Sequence, residues 1–317
     1  AMTESVVPLP RPLDPAKFRD PHVTAKGERR AVVALRALDA LWINTGTVCN
    51  LTCKNCYIES SPTNDRLVWL TAAEVRGYLD EIRDRHLPTH TIGFTGGEPF
   101  MNPEIVPMLQ DVLAGGFDAL VLTNAMRPMG KCQDGLLALQ QRFPGRLTVR
   151  VSMDHYAAAV HELERGRRSF RPTLDGLRWL ARHGFTVHVA TRRLSSDSEA
   201  ELRAGFRRLF AEHGIPIDAG DPVALMVFPE MDATADVPEI TEACWAILHK
   251  SPDDVMCASS RMVVKRKGAP RPTVLACTLL PYDAGFELGH TLAEASGSVA
   301  LNHPHCAKFC VLGGAAC

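Results

Sequence analysis

The stretch VCNLTCKNCYIE, residues 48–59, places Cys49, Cys53 and Cys56 close together and supplies no fourth cysteine nearby. A structural zinc site closes a tetrahedron with four ligands, and a catalytic zinc site with an open position usually draws on histidine or carboxylate. A four-iron four-sulfur cluster is normally held by four thiolates, so three would leave one iron without a protein ligand and open to a small molecule. Asn50, Lys54 and Asn55 make the segment too polar for three cysteines of a buried strand.

Composition narrows the rest. The 317 residues are 46% hydrophobic and 22% charged, enough for a large core and an enzyme-sized fold. A formal net charge of −1 gives no field that would gather nucleic acid, and no apolar run approaches a membrane span. The opening AMTESVVPLPRPLDPAKF lacks the pattern of a secretory signal, so the expectation is a reducing cytoplasm. There the ten cysteines would serve metal or chemistry rather than disulfides.

Residues 1–38 begin proline-rich and charged, then carry a short helical pattern in GERRAVVALRAL; they read as an outer arm. From residue 39 short apolar strands alternate with amphipathic helices, the pattern of a parallel sheet with crossover helices. Strands are expected at Leu41 to Asn44, His90 to Thr95, Ala119 to Thr123, Leu147 to Ser152, Thr186 to Thr191 and Val223 to Phe228. Helices are expected near 72–86, 103–114, 133–143, 173–183 and 198–213, the first opened by a Thr71/Glu74 capping box. The rhythm changes beyond Pro229, so residues 39–232 read as an α/β domain and 233–317 as a smaller unit. Within the latter, RMVVKRKGAPRPT reads as a solvated hairpin turning at Gly268 and Pro270.

The cysteine loop directly follows the first strand, and CxxxCxxC at that place resembles the signature of the radical S-adenosylmethionine (radical SAM) enzymes. TGGEP (Thr95 to Pro99) resembles their GGEP motif, and TNA (Thr123 to Ala125) the TNG that often ends strand three, with alanine for glycine. VSMDH, ending at His155, resembles the SxDG segment with histidine for glycine, and HELERG (residues 161–166) the H-x-x-x-R-G continuation. The resemblance implies a partial (β/α)6 TIM-like barrel. Its cluster, on Cys49, Cys53 and Cys56, would bind S-adenosylmethionine at the open iron and yield a 5′-deoxyadenosyl radical that takes hydrogen from substrate. Gly96 and Gly97 would let backbone approach, Glu98 would hold the methionyl amine, and Ser152 and Asp154 would reach the ribose and methionyl part. Arg165 and Arg192 are candidates for the methionyl carboxylate, because a guanidinium fork suits it. Asn55 stands where many members carry an aromatic that packs on adenine, and Tyr57 is the candidate replacement.

The tail resembles SPASM and twitch extensions, small auxiliary iron-sulfur domains in which cysteines bracket a hairpin. This implies one auxiliary four-iron cluster on Cys257, Cys277, Cys306 and Cys310, with Cys317 able to displace any of the last three. A structural zinc knot from the same thiolates remains open. Cys132, in the loop after strand three, is a candidate hydrogen donor. The expected activity is hydrogen abstraction from a small biosynthetic intermediate, leading to oxidation or rearrangement. The electron donor would be of the flavodoxin or ferredoxin type, and neither nucleic acid nor a membrane is an expected partner. Ribosomal-peptide modification, epimerisation, methyl transfer, carbon-carbon bond formation and a non-catalytic iron-sulfur or zinc sensor are the alternatives.

Overall fold

The computed structural model describes residues 10–313, which form two compact units, each assembled from separate stretches of chain. The larger comprises residues 35–230 and 259–297; the smaller draws on residues before 35, 231–258 and residues from 298 onward.

The larger unit is built on six strands, β1 (Ala40–Asn44), β2 (Thr91–Thr95), β3 (Asp118–Thr123), β4 (Leu147–Ser152), β5 (Thr186–Arg192) and β6 (Leu225–Phe228). They run parallel and neighbour one another in chain order. Between them come α1 (Ala72–Asp84), α2 (Ile105–Ala114), α3 (Gln133–Arg142), α4 (Ala158–Arg165), α5 (Phe170–Arg182) and, after β5, α6 (Glu199–Glu212). This is the α/β partial barrel expected from the sequence.

Helix starts are written locally. The Thr71 hydroxyl accepts from Glu74 N–H while the Glu74 carboxylate accepts from Thr71 N–H, and Ser198 with Glu201 repeats the device at α6. Val75, Leu79 and Ile82 bury one face of α1, and Ile105, Met108, Leu109 and Val112 one face of α2. These faces join a core that includes Leu41, Ile43, Ile92, Phe94, Val121, Val149, Val151 and Val189. Alternate residues point to the opposite face of the sheet, where Trp42 lies beside Gly93 in register. A Cβ on Gly93 would stand 2.4 Å from the indole, so glycine there makes room for the tryptophan.

The tail hairpin belongs to the same sheet. β7 (Ser260–Val264) pairs parallel with β1 on its free side, and β8 (Thr273–Leu275) and β9 (Glu287–Gly289) continue antiparallel to give nine strands. The hairpin's basic residues pair at the surface, Lys267 with Asp65 at 2.6 Å and Arg266 with Glu287. That agrees with a solvated turn at Gly268, whose φ is +80°.

The smaller unit corrects the helical reading of GERRAVVALRAL. Val32–Val33 form a strand against Val299–Ala300, and Ala31 N–H donates to the Ile240 carbonyl at 2.9 Å. Ala31 and Val33 are buried while Val32 is exposed, a period of two rather than 3.6. Nor is the segment an outer arm: the Arg30 side chain is sealed, donating to Glu239 at 2.7 Å and to the carbonyls of Asp20 and Val23. No helix among the described residues is long and apolar enough to cross a membrane.

Gly93→Ala should lower the denaturant midpoint by an amount equivalent to about 1–3 kcal/mol, the usual cost of overpacking, because Cβ and indole cannot share that space.

Candidate active site

The loop after β1 and the loop after β2 are zipped together backbone to backbone. Thr45 N–H donates to Thr95 O at 2.9 Å, Gly97 N–H to Gly46 O at 2.7 Å and Glu98 N–H to Val48 O at 3.1 Å. A Cβ on Gly97 would lie 2.2 Å from the Val48 carbonyl oxygen. Gly96, at φ +141°, would place its Cβ 2.5 Å from Gly46 O, in a conformation that L side chains rarely adopt. Only glycine at both positions allows the GGE turn to lie against the chain entering Cys49.

The turn delivers Glu98 into the interior, where it is 2% exposed. One carboxylate oxygen accepts from the Thr123 hydroxyl at 2.7 Å and Asn124 N–H at 2.8 Å, and the other from Phe100 N–H at 2.9 Å. Burial pushes the Glu98 pKa upward, and these three donors oppose the shift without cancelling it. Asn124 then donates through Nδ2 to Asn50 Oδ1 at 2.8 Å, linking the end of β3 to the cysteine loop.

Ala125 answers the first departure from the motif. It occupies the left-handed region at φ +57°, where glycine would be unstrained, and is 2% exposed. Gly176 of α5 accommodates it, since a Cβ there would meet the Ala125 carbonyl oxygen at 2.0 Å. His155, the second departure, needs no left-handed backbone. Its Nδ1 accepts from Ala157 N–H at 2.9 Å, which leaves the proton on Nε2, 2.6 Å from Asp197 Oδ2.

Asp154 lies 5% exposed and accepts from Arg165 Nε at 2.8 Å. Burial would raise its pKa, but Arg165 and Arg192 outweigh it and the net shift is downward. The backbone N–H of Asp154 donates to His161 Nδ1 at 3.1 Å, so the fully buried His161 sets the Asp154 turn. Burial, and then Arg165, lower the His161 pKa to about 4. Arg165 and Arg192, both candidates for the methionyl carboxylate, are engaged with carboxylates of the chain, Arg165 with Asp154 at 2.8 Å and Arg192 with Glu164 at 3.0 Å. Glu164 is the functional residue that sequence reasoning missed. In a run of charged letters it looks solvated, yet it is 7% exposed and accepts from both N–H groups of Asn55, at 2.7 Å and 2.8 Å. Asn55 is therefore used as a tether.

The remaining candidates are placed as follows. Ser152 ends β4 half-buried, beside Ala190 of β5. Tyr57 is 37% exposed. Cys132 is half-buried before α3, its pKa raised by burial and then by the charge of Glu98, which places it within electrostatic reach of that carboxylate. Cys257 and Cys306 are buried and Cys310 is half-buried in the smaller unit, with Cys306 and Cys310 four residues apart on the π-helical segment Cys306–Leu312. Cys277 is half-buried in the larger unit. Cys317 lies outside the described residues.

The donor set at Cys49, Cys53 and Cys56 fits iron and sulfide in kind, three thiols on one loop. All three stand in one turn-rich loop at the C-terminal ends of the strands, where the active mouth of a parallel barrel lies. Burial pushes the Cys49 pKa up to about 12, with Glu98, Cys53 and Cys56 adding to it. Burial also raises Cys53, while Arg165 pulls against the shift. Among the described residues no three His, Cys, Asp or Glu side chains converge on a metal position.

A parallel partial barrel with a three-thiol loop after its first strand and a buried carboxylate after its second defines a class of iron-sulfur barrel. Residues 43–194, just under half of the chain, match the family model of the Radical SAM superfamily, and this stretch is a radical SAM enzyme domain. A stretch of 143 residues is 32% identical to the antilisterial bacteriocin subtilosin biosynthesis protein AlbA of Bacillus subtilis (strain 168), covering 45% of this chain and 30% of AlbA. The chain is thus matched to less than a third of that relative's length. The fold is similar to Streptococcus suis SuiB bound to precursor peptide SuiA, with TM-score 0.59 and 12% identity over 81% of this chain and 63% of SuiB. It is likewise similar to anSMEcpe with bound AdoMet, with TM-score 0.59 and 14% identity over 87% of this chain and 83% of that one.

His161 predicts a pH dependence. Its folded pKa of about 4 lies below the ordinary 6.5, so the unfolded chain takes up the proton first and His161 stabilises the fold only above about pH 6.5. That contribution, roughly 3 kcal/mol, should be lost as pH falls from 6.5 through 4. His161→Asn, which can retain an acceptor for Asp154 N–H, should flatten this part of a plot of melting temperature against pH.

Proposed function

We propose that this chain binds a four-iron four-sulfur cluster through Cys49, Cys53 and Cys56 and uses S-adenosylmethionine to start radical chemistry on a peptide. The carrying observation is the backbone zipper that sets the three-thiol loop against Gly97 and Glu98. When bound, the cluster and S-adenosylmethionine supply reductive cleavage to a 5′-deoxyadenosyl radical, the agent of hydrogen abstraction.

The chain's own residues bind and orient. Glu98, immobilised by Thr123, Asn124 and Phe100, is the carboxylate assigned to the methionyl amine. Ser152 and Asp154 serve the ribose and methionyl part, with Asp154 kept ionised by Arg165. Gly96 and Gly97 keep side chains out of the approach. Tyr57 is assigned to adenine contact and Cys132 is the candidate hydrogen donor at the mouth.

The bacteriocin role in AlbA's name favours a ribosomally made peptide over the small intermediate expected from the sequence. Cys257, Cys277, Cys306 and Cys310 are assigned to one auxiliary cluster, with Cys317 as the alternative ligand, and a flavodoxin- or ferredoxin-type protein to electron delivery. Two clusters would let the substrate radical pass on an electron, giving net oxidation.

Anaerobic reconstitution with iron and sulfide should load about eight irons per chain, four for each cluster. With dithionite and S-adenosylmethionine it should release 5′-deoxyadenosine, and Cys49→Ala should abolish that release. About four irons with activity intact would assign the tail cysteines to zinc or to no metal. Failure to bind both iron and S-adenosylmethionine would overturn the reading.

A further inference from the structure

The dipeptide between Cys53 and Cys56 is held by residues that follow other strands. Lys54 N–H donates to the Glu164 carbonyl at 2.9 Å. Asn55 N–H donates to Glu164 Oε1 at 2.7 Å, and Asn55 Nδ2 to Glu164 Oε2 at 2.8 Å. The Asn55 carbonyl accepts from Arg192 Nη1 at 2.8 Å, while Arg192 Nη2 closes the ring on Glu164 Oε1 at 3.0 Å. Glu164 comes from the last turn of α4 and Arg192 from the end of β5.

Elsewhere the loop is tied at its two ends, by Cys49 N–H to Ser61 O at 3.0 Å, Asn124 Nδ2 to Asn50 Oδ1 at 2.8 Å and Tyr282 Oη to the Ile58 carbonyl at 2.7 Å, and none of these bonds touches the Lys54–Asn55 peptides. Its internal backbone bonds are Cys56 N–H to Cys53 O at 3.3 Å and Glu59 N–H to Cys56 O at 3.1 Å. The carboxylate and guanidinium that grip it are 7% and 16% exposed as side chains, so water competes poorly for them. Breaking one member would leave its partner buried and unsatisfied.

We infer that Glu164 and Arg192 are positioning residues for the cysteine loop: they fix the Lys54–Asn55 peptides and thereby set the directions in which Cys53 and Cys56 present their thiols to the cluster. The inference rests on the proposed cluster and assigns neither residue a contact with it. The grip is neutral as a set, because Arg192 balances Glu164 while Arg165 balances Asp154 next to it. The loop is thus fixed without adding net charge beside the thiolates. The use of Asn55 at this position also gains a physical reason, since its amide presents a second N–H to the same carboxylate.

The test places a carboxylate where the amide stands. Asn55→Asp sets two acidic groups against each other, and Glu164→Gln in the same chain restores a donor between them. The measurement is iron lost to a chelator from the anaerobically reconstituted chain, with iron held by Cys49→Ala subtracted. Alongside it runs the electron paramagnetic resonance spectrum of the reduced cluster with and without S-adenosylmethionine. Asn55→Asp should lose this iron about tenfold faster and alter the line shape, the scale typical of groups that orient metal ligands. The double variant should return toward the wild-type rate, and Glu164→Gln alone should be intermediate. The melting temperature of the cluster-free chain should fall in Asn55→Asp, because the new carboxylate faces the buried Glu164, and should recover in the double variant.

A wild-type rate and spectrum in Asn55→Asp, or a double variant no slower than the single, would overturn the inference while leaving the proposed function standing. Loss of thermal stability with an unaltered spectrum would do the same, reducing the ring to a structural ion pair. Wild-type chain that loads no iron above the Cys49→Ala level would overturn the proposed function and this inference with it.

Discussion

The site depends on one close approach, the Gly97 N–H to Gly46 O hydrogen bond at 2.7 Å, in which two loop backbones meet with no side chain between them. Because the bond joins the loop after β1 to the loop after β2, it converts two adjacent strand ends into one surface. Cys49 enters from one side of it and Glu98 from the other. A methyl group at residue 97 would drive the strands' loops apart, since backbone atoms cannot rotate out of the way as a side chain can. The parallel register of Asn44 with Thr95 brings these loops level, so the sheet and the site are parts of a single construction.

Charge buried around that surface is distributed in pairs. Glu98 is hydrogen-bonded by neutral donors, and burial raises its pKa against them. Asp154 faces Arg165 and Glu164 faces Arg192, and each pair is nearly closed to solvent. Burying ions costs several kcal/mol apiece and is offset only when geometry and additional hydrogen bonds are good. Here those additional bonds run to Asn55, so the same contacts that settle the charges also shape the cysteine loop. His161 adds a neutral support beneath Asp154, its low pKa keeping it an acceptor at neutral pH.

Much of this was legible from short patterns. The strand-helix rhythm follows from apolar periodicity, and the six parallel strands lie within a few residues of the expected places. The capping box at Thr71 and the glycine requirement at residues 96 and 97 depend on neighbours in sequence, so letters carry them. GERRAVVALRAL misled because its apolar residues satisfy a helical spacing as readily as an alternating one. Pairing of Val32–Val33 with Val299–Ala300, remote in the chain, selected the strand. Glu164 was hidden for a related reason: neighbouring charges suggest solvent, and its burial arises only when α4 packs the residue against a loop more than a hundred positions earlier.

By itself the sequence determined the class of fold, the three-thiol loop and the glycine turn, because each is encoded by periodicity, spacing or a backbone conformation that few residues allow. Tertiary structure decided which charges are buried and which residue each one grips. It assigned Asn55 to a tether, seated Ala125 in a left-handed conformation opposite Gly176, and gave His155 a carboxylate partner in Asp197. Burial and long-range hydrogen bonding are properties of the assembled chain, and a side chain's partner cannot be read before the backbone that carries the partner has been placed.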